Sequence, residues 1–82
     1  MGDREPWQTH VEQEAIDLHK GITRLGAFLV SPAYGSVDHA EAALLHEQYM
    51  AMTAYLRVLS SRMLHWARQA ESKARWDRQG KQ

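Results

Sequence analysis

Apolar residues recur along this chain in alternating steps of four and three. From Trp7 the series runs through Val11, Ala15, Leu18, Ile22, Leu25 and Leu29, the 3.5-residue repeat of one packed helical seam. Ile16 and Phe28 widen the stripe. Pro6 stands where a first-turn proline is tolerated, because its missing N–H would have had no partner there. Asp3 and Glu5 add negative charge near the positive end of the helix dipole. A longer series runs through Leu45, Tyr49, Met52, Leu56, Leu59, Met63, Trp66 and Ala70, flanked by Leu44, Tyr55 and Val58, and meets no helix breaker until Gly80. Asp38 and Glu41 have the spacing of a capping box at its start. Between the two series, Pro32 disfavours helical geometry at Ser31 and Gly35 permits a positive φ. No alternating strand pattern occurs anywhere.

The predicted division is a lead over 1–6, a helix over 7–30, a loop over 31–38, a helix over 39–78 and a tail over 79–82, in one domain. The fold class expected is all-α: an antiparallel helical hairpin with a long second helix. At 1.5 Å per residue the helices measure roughly 36 and roughly 60 Å. Folding back over a short connection would set Trp7 near Arg62 and Leu29 near Ala40. Beyond about Met63 the second helix would have no partner in its own chain, although its seam continues. Two helices also give only two walls for a broad apolar stripe. The expectation is therefore a homo-oligomeric helical bundle, a dimer or tetramer, with Leu45, Tyr49, Met52, Leu56, Leu59, Met63, Trp66 and Ala70 at the subunit interface. Gly21 and Gly26 each cost about 1 kcal/mol relative to alanine in a helix interior. They mark close helix approach, but five residues apart they do not share one face.

Composition narrows the class. The 82 residues contain no cysteine, which removes disulfide scaffolds and cysteine-ligated zinc sites. No run approaches the length of a membrane span, and no apolar stretch near the start resembles a signal peptide. The expected location is the cytoplasm of a bacterial host. The net charge of zero hides an asymmetry. Residues 1–56 carry three bases against eight acids, and residues 57–82 carry seven bases against two acids, so the halves stand at −5 and +5. Complementarity to helix dipoles accounts for part of this. A basic tail that meets an anionic partner is the sharper reading.

Candidate chemistry is sparse. His10, His19, His39, His46 and His65 include no pair three or four apart, the spacing that puts two ligands on one helical face. His10 and Glu14 make one spaced pair, too few for a metal site. Gly21-Ile22-Thr23-Arg24-Leu25-Gly26 has the glycine spacing of a phosphate loop but lacks the Lys-Ser/Thr that follows, and it lies within a helix. The serines lie in no nucleophile elbow, so no enzyme, no cofactor and no metal is expected. Anion binding stands better. Lys20 and Arg24 form an i,i+4 pair on the first helix, and Arg57 and Arg62 lie on the second. Guanidinium groups grip phosphates through paired donors, and aromatic faces stack on bases. Tyr49 and Trp66 lie on the seam, where core packing is their first use, and Tyr34 suits the covering of a hairpin end. Trp76, between Arg75 and Arg78, has the weakest place on the seam. Contact with another subunit suits it as well as contact with a ligand.

Trp7, Val11, Glu14, Leu18, Leu25, Phe28, Leu29 and Ser31 resemble the first helix of a group of short phage and prophage proteins. Leu44-Leu45, Gln48, Met52, Tyr55, Leu59 and Arg62 match the same group's Leu-Leu-x-x-Gln-x-x-x-Met-x-x-Tyr-x-x-x-Leu-x-x-Arg pattern. The resemblance covers about residues 7–66 and departs from the group in the Pro32–Ser36 loop and the basic extension after Trp66. Gln48, Tyr55 and Arg62 are its informative positions, seven apart along one flank of the seam. It implies a viral origin. By size and architecture the chain is also similar to small helical anti-defence proteins that sequester nucleotide signals of bacterial immunity. The ligand-binding candidates are then Lys20, Arg24, Tyr34, Gln48, Tyr55, Arg57 and Arg62, and the candidate ligand is a cyclic nucleotide or ADP-ribose-type signal. The alternative is a protein-interaction module that blocks or adapts a host or virion protein. Nucleic-acid binding by the basic C-terminal helix ranks lower, and no membrane partner is expected.

Overall fold

The computed structural model describes residues 5–80, with side chains through Arg75. The expectations for Asp3, for the Trp76 side chain and for the last two residues lie outside the described residues. Helix α1 spans Pro6–Leu29, a 3-10 helix spans Pro32–Ser36, and helix α2 spans His39–Gly80. No strand occurs among the described residues. The molecule is a rod of 68 × 17 × 17 Å, a length set by the 42 residues of α2.

Each helix starts on a local device. At α1, the Glu5 side chain accepts from the backbone of Gln8, and the Gln8 side chain accepts from the Glu5 N–H at 3.0 Å, with Pro6 at the first helical position. This reciprocal cap satisfies two donors that a helix N-terminus leaves without partners. At α2, the Glu41 N–H donates to Asp38 Oδ1 at 2.9 Å. Helix α1 stops where Ser31 turns back, its N–H and its hydroxyl both donating to the Phe28 carbonyl, at 3.0 and 2.7 Å. Pro32 then holds the chain out of helical geometry.

The register lies one turn away from the expected one. Trp7 meets Trp66, with ring centroids 4.9 Å apart and planes at 88°, instead of lying beside Arg62 alone. The cause is the connection. The ring of Tyr34 packs edge-on against Phe28 at 5.9 Å, and its hydroxyl donates to the Ala42 carbonyl at 2.9 Å. The 3-10 segment thus caps the closed end, and α2 completes its first turn before it draws level with α1. Partnering consequently reaches Trp66 rather than ending near Met63. Beyond it, residues 67–75 are exposed.

The core is thin and lies towards the open end. Val11, Ala15 and Leu59 are buried, with Leu18, Leu56, Met63 and Trp66 packed around them. Leu59 is wholly enclosed by its own hairpin, while Leu45, Tyr49, Met52, Leu56, Met63 and Trp66 are half-buried and Ala70 is exposed. Near the closed end, bulk is replaced by absence of bulk. A Cβ on Gly21 would stand 3.1 Å from Met52 Cε, and one on Gly26 would stand 3.2 Å from Tyr49 Cε2. The two glycines lie about 140° apart around α1, at 100° per residue, on opposite flanks of its seam. Both nonetheless receive α2, because Tyr49 and Met52 lap over the two sides of α1.

The two glycines should therefore respond differently to alanine. Gly21→Ala gains up to about 1 kcal/mol of helix propensity, and the methyl end of Met52 can swing aside. Gly26→Ala offers the same gain against a ring that must shift as a plate, which offsets it. Thermal melts followed by circular dichroism should show Gly21→Ala above the parent and Gly26→Ala at or below it. The reverse order would contradict this packing.

Candidate ligand-binding face

Near the open end the hairpin carries a connected polar and aromatic cluster. The Tyr55 hydroxyl donates to the Glu14 carboxylate, tying α2 to α1 through side chains. Arg62 holds its guanidinium carbon 5.6 Å from the centroid of the Trp66 ring, within cation–π range. Trp66 in turn abuts Trp7, which is 47% exposed. The Tyr55 phenol titrates above its ordinary value of 10.0, first because its hydrogen bond to Glu14 holds the proton, then through desolvation and the nearby carboxylate charge, while Arg62 pulls the other way.

The pH dependence follows from that direction. The folded chain binds the Tyr55 proton more tightly than the unfolded chain does. The contribution is therefore present below about pH 10 and is lost as pH rises through the folded value. In a Tyr34→Phe/Tyr49→Phe background, the phenolate absorbance of Tyr55 should rise at higher pH than that of free tyrosine. Glu14→Gln should move that midpoint back down, and an unmoved midpoint would remove Glu14 as the cause.

On the outer side of α2, Arg57, Val58, Ser61, Arg62, His65 and Trp66 line a groove of about 310 Å³. They form two i,i+4 rows, 57-61-65 and 58-62-66, the spacing at which helical side chains adjoin. The groove combines two guanidinium groups, a hydroxyl, an imidazole and one indole. Guanidinium forks suit phosphate oxygens, while the Trp66 ring is already engaged by Arg62 and Trp7. Arg57 and Arg62 are legible in the sequence as candidates. Ser61, His65 and Val58 are not, although the same four-residue spacing links them to the arginines. Trp66 serves both the seam and the groove.

The other sequence candidates are dispersed. Tyr55 stands beside Arg62. Gln48 Nε2 reaches Met52 Sδ at 3.8 Å. Tyr34 caps the closed end with its hydroxyl engaged. Lys20 lines a separate groove of about 430 Å³ with Glu12, Ala15, Ile16, His19 and Met63, and Arg24 is exposed one turn further along α1. Among the described residues no three His, Asp or Glu side chains cluster so as to hold a metal ion. No described helix is long and apolar enough to cross a membrane.

Among the described residues the fold is a two-helix hairpin, and one face of α2 carries two arginines beside an indole. The chain belongs to the Sequestin family, whose profile matches residues 5–65. The match takes in all of α1, the connection and α2 through His65, and it leaves the α2 overhang outside. The family's name is consistent with a protein that works by binding and sequestering rather than by catalysis. No curated protein and no solved structure gives a significant match.

Proposed function

We propose that this protein is a non-enzymatic, phage-type sponge that self-associates and holds a nucleotide signal of bacterial immunity, a cyclic oligonucleotide or an ADP-ribose-type molecule, in the host cytoplasm. The observation that carries the reading is the α2 groove, where Arg57 and Arg62 stand with Ser61, His65 and the indole of Trp66. Phosphates bind the guanidinium groups and a base stacks on the aromatic surface. The family name supports sequestration in general, and the nucleotide ligand rests on the chemistry of the groove. Self-association is supported by the thin core. With Val11, Ala15 and Leu59 its only buried apolar residues among those described, the hairpin leaves Ile16, Val30, Leu44, Met50, Val58 and Leu64 exposed.

Calorimetry of the full chain against cyclic di- and trinucleotides and cyclic ADP-ribose isomers is the test. Saturable heat with at least one of them is expected. Its absence at about 100 μM, where a ligand worth sequestering must bind, would remove the reading. A second reading, capture of a host or virion protein, is favoured by the exposed overhang of α2 over 67–75. Deleting residues 67–82 should then abolish partner capture and leave the hairpin folded. If nucleic acid were the partner of the same basic helix, affinity would fall steeply with salt as counterions are released.

A further inference from the structure

We propose that Trp7, on α1, is the surface on which the base of a nucleotide stacks while Arg62 holds its phosphates, so that the ligand bridges both helices. The inference rests on the nucleotide sequestration read above and adds to it a binding residue from outside the α2 groove. The guanidinium carbon of Arg62 lies 5.6 Å from the centroid of the Trp66 ring, and the centroid of the Trp7 ring lies 4.9 Å from that of the same ring. Cation and exposed indole are thus set apart by one aromatic ring. A nucleotide places a sugar between its base and its phosphates, and so calls for a cation and a stacking face at such a separation.

Trp7 has the open face that stacking needs. It is 47% exposed, and its plane stands at 88° to that of Trp66, so this edge-on contact covers at most one of its two faces. Stacking on an aromatic side chain tolerates any base, because every base has a π-face. The other described aromatics near Arg62 fit less well. Trp66 is engaged by Arg62 and by Trp7 itself. Tyr55 is 44% exposed, but its hydroxyl donates to Glu14, whose carboxylate repels the phosphates that a base brings with it. Tyr34 and Phe28 pack on each other at the closed end, and the Tyr49 ring lies against Gly26. An exposed indole also suits a contact between subunits, a use that the experiment separates from stacking.

Calorimetry of the full chain and its Trp7 variants against cyclic di- and trinucleotides and cyclic ADP-ribose isomers tests this, with circular dichroism confirming the helicity of each variant. Trp7→Leu keeps apolar bulk beside Trp66 but has no ring. It should weaken the tightest-binding of these nucleotides by about 5- to 150-fold, the usual loss when a stacking residue is removed. Trp7→Phe keeps an aromatic face and should stay within about threefold of the parent. A base stacked on Trp7 quenches its emission, so the same nucleotide should quench the parent and quench Trp7→Phe far less, which decides the matter should Trp7→Leu fail to fold. A parent that binds none of these nucleotides at about 100 μM removes the sequestration reading and this one with it. A parent that binds no better than Trp7→Leu, a Trp7→Phe variant as weak as Trp7→Leu, or quenching that survives in Trp7→Phe overturns the stacking assignment alone. So does a Trp7→Leu loss that vanishes once the protein is concentrated until sedimentation equilibrium returns the parent's mass, which would make Trp7 a contact between copies.

Discussion

Leu59→Ala should abolish the cooperative unfolding transition of this hairpin or lower its midpoint by tens of degrees. Among the described residues Leu59 is the one large side chain with no exposure, and it closes the cluster formed with Val11 and Ala15. Cutting a buried leucine back to alanine typically costs about 2–5 kcal/mol, because the transfer energy is lost and a cavity remains. Chains of this size hold only about 3–5 kcal/mol of core stabilisation in total. Each kcal/mol moves the midpoint by about 4–8 °C at this length. Met50→Ala, at a side chain 58% exposed, removes similar bulk from a place already wet and should move it by only a few degrees. Far-UV circular dichroism during heating, at one fixed protein concentration, separates the two. Equal shifts would mean that stability resides in contacts between copies rather than in the Val11–Ala15–Leu59 cluster.

That cluster also marks how far the sequence could be read. Alternating steps of four and three from Trp7 to Leu29 and from Leu45 to Ala70 announce two seams, and Pro32 with Asp38 announces the break between them. These are local signals, and the helices follow them. Register is different in kind. It depends on how the connection folds, and the Tyr34 ring on Phe28 with its hydroxyl on Ala42 is a tertiary contact that no periodicity carries. The one-turn shift it brings gives Trp66 a partner in Trp7. The glycines show the same limit. Spacing alone separates Gly21 from Gly26 onto two faces, and only the overlap of Met52 and Tyr49 shows that both faces meet α2. In the candidate site, charge and fork geometry single out Arg57 and Arg62, whereas a serine and a histidine gain meaning only from the groove they share with those arginines. Lys20, Arg24 and Tyr34 carry suitable chemistry in the sequence, but the hairpin sends them to other places.

If the α2 groove holds the ligand, Arg62 is the residue whose loss should weaken binding most. Arg57 shares the groove, but among the described residues only Arg62 also rests on an aromatic ring, its guanidinium carbon 5.6 Å from the Trp66 ring centroid. A side chain held by its neighbours loses less freedom when it grips a phosphate. A hydrogen bond to a charged group contributes about 1.5–3 kcal/mol, so Arg62→Ala should weaken binding by about 10- to 150-fold, at 1.4 kcal/mol per factor of ten. Arg62→Lys keeps the charge but forfeits the planar fork, and should fall between the parent and the alanine variant. Arg57→Ala should cost less than Arg62→Ala, because nothing in the fold pre-positions Arg57. Arg24→Ala, on α1 and away from the groove, should leave affinity within about twofold, close to the usual effect of a surface change. Calorimetry on this series with whichever cyclic nucleotide binds the parent reads all four. An Arg24 effect equal to that of Arg62 would place the ligand on α1 and remove the α2 groove from the function.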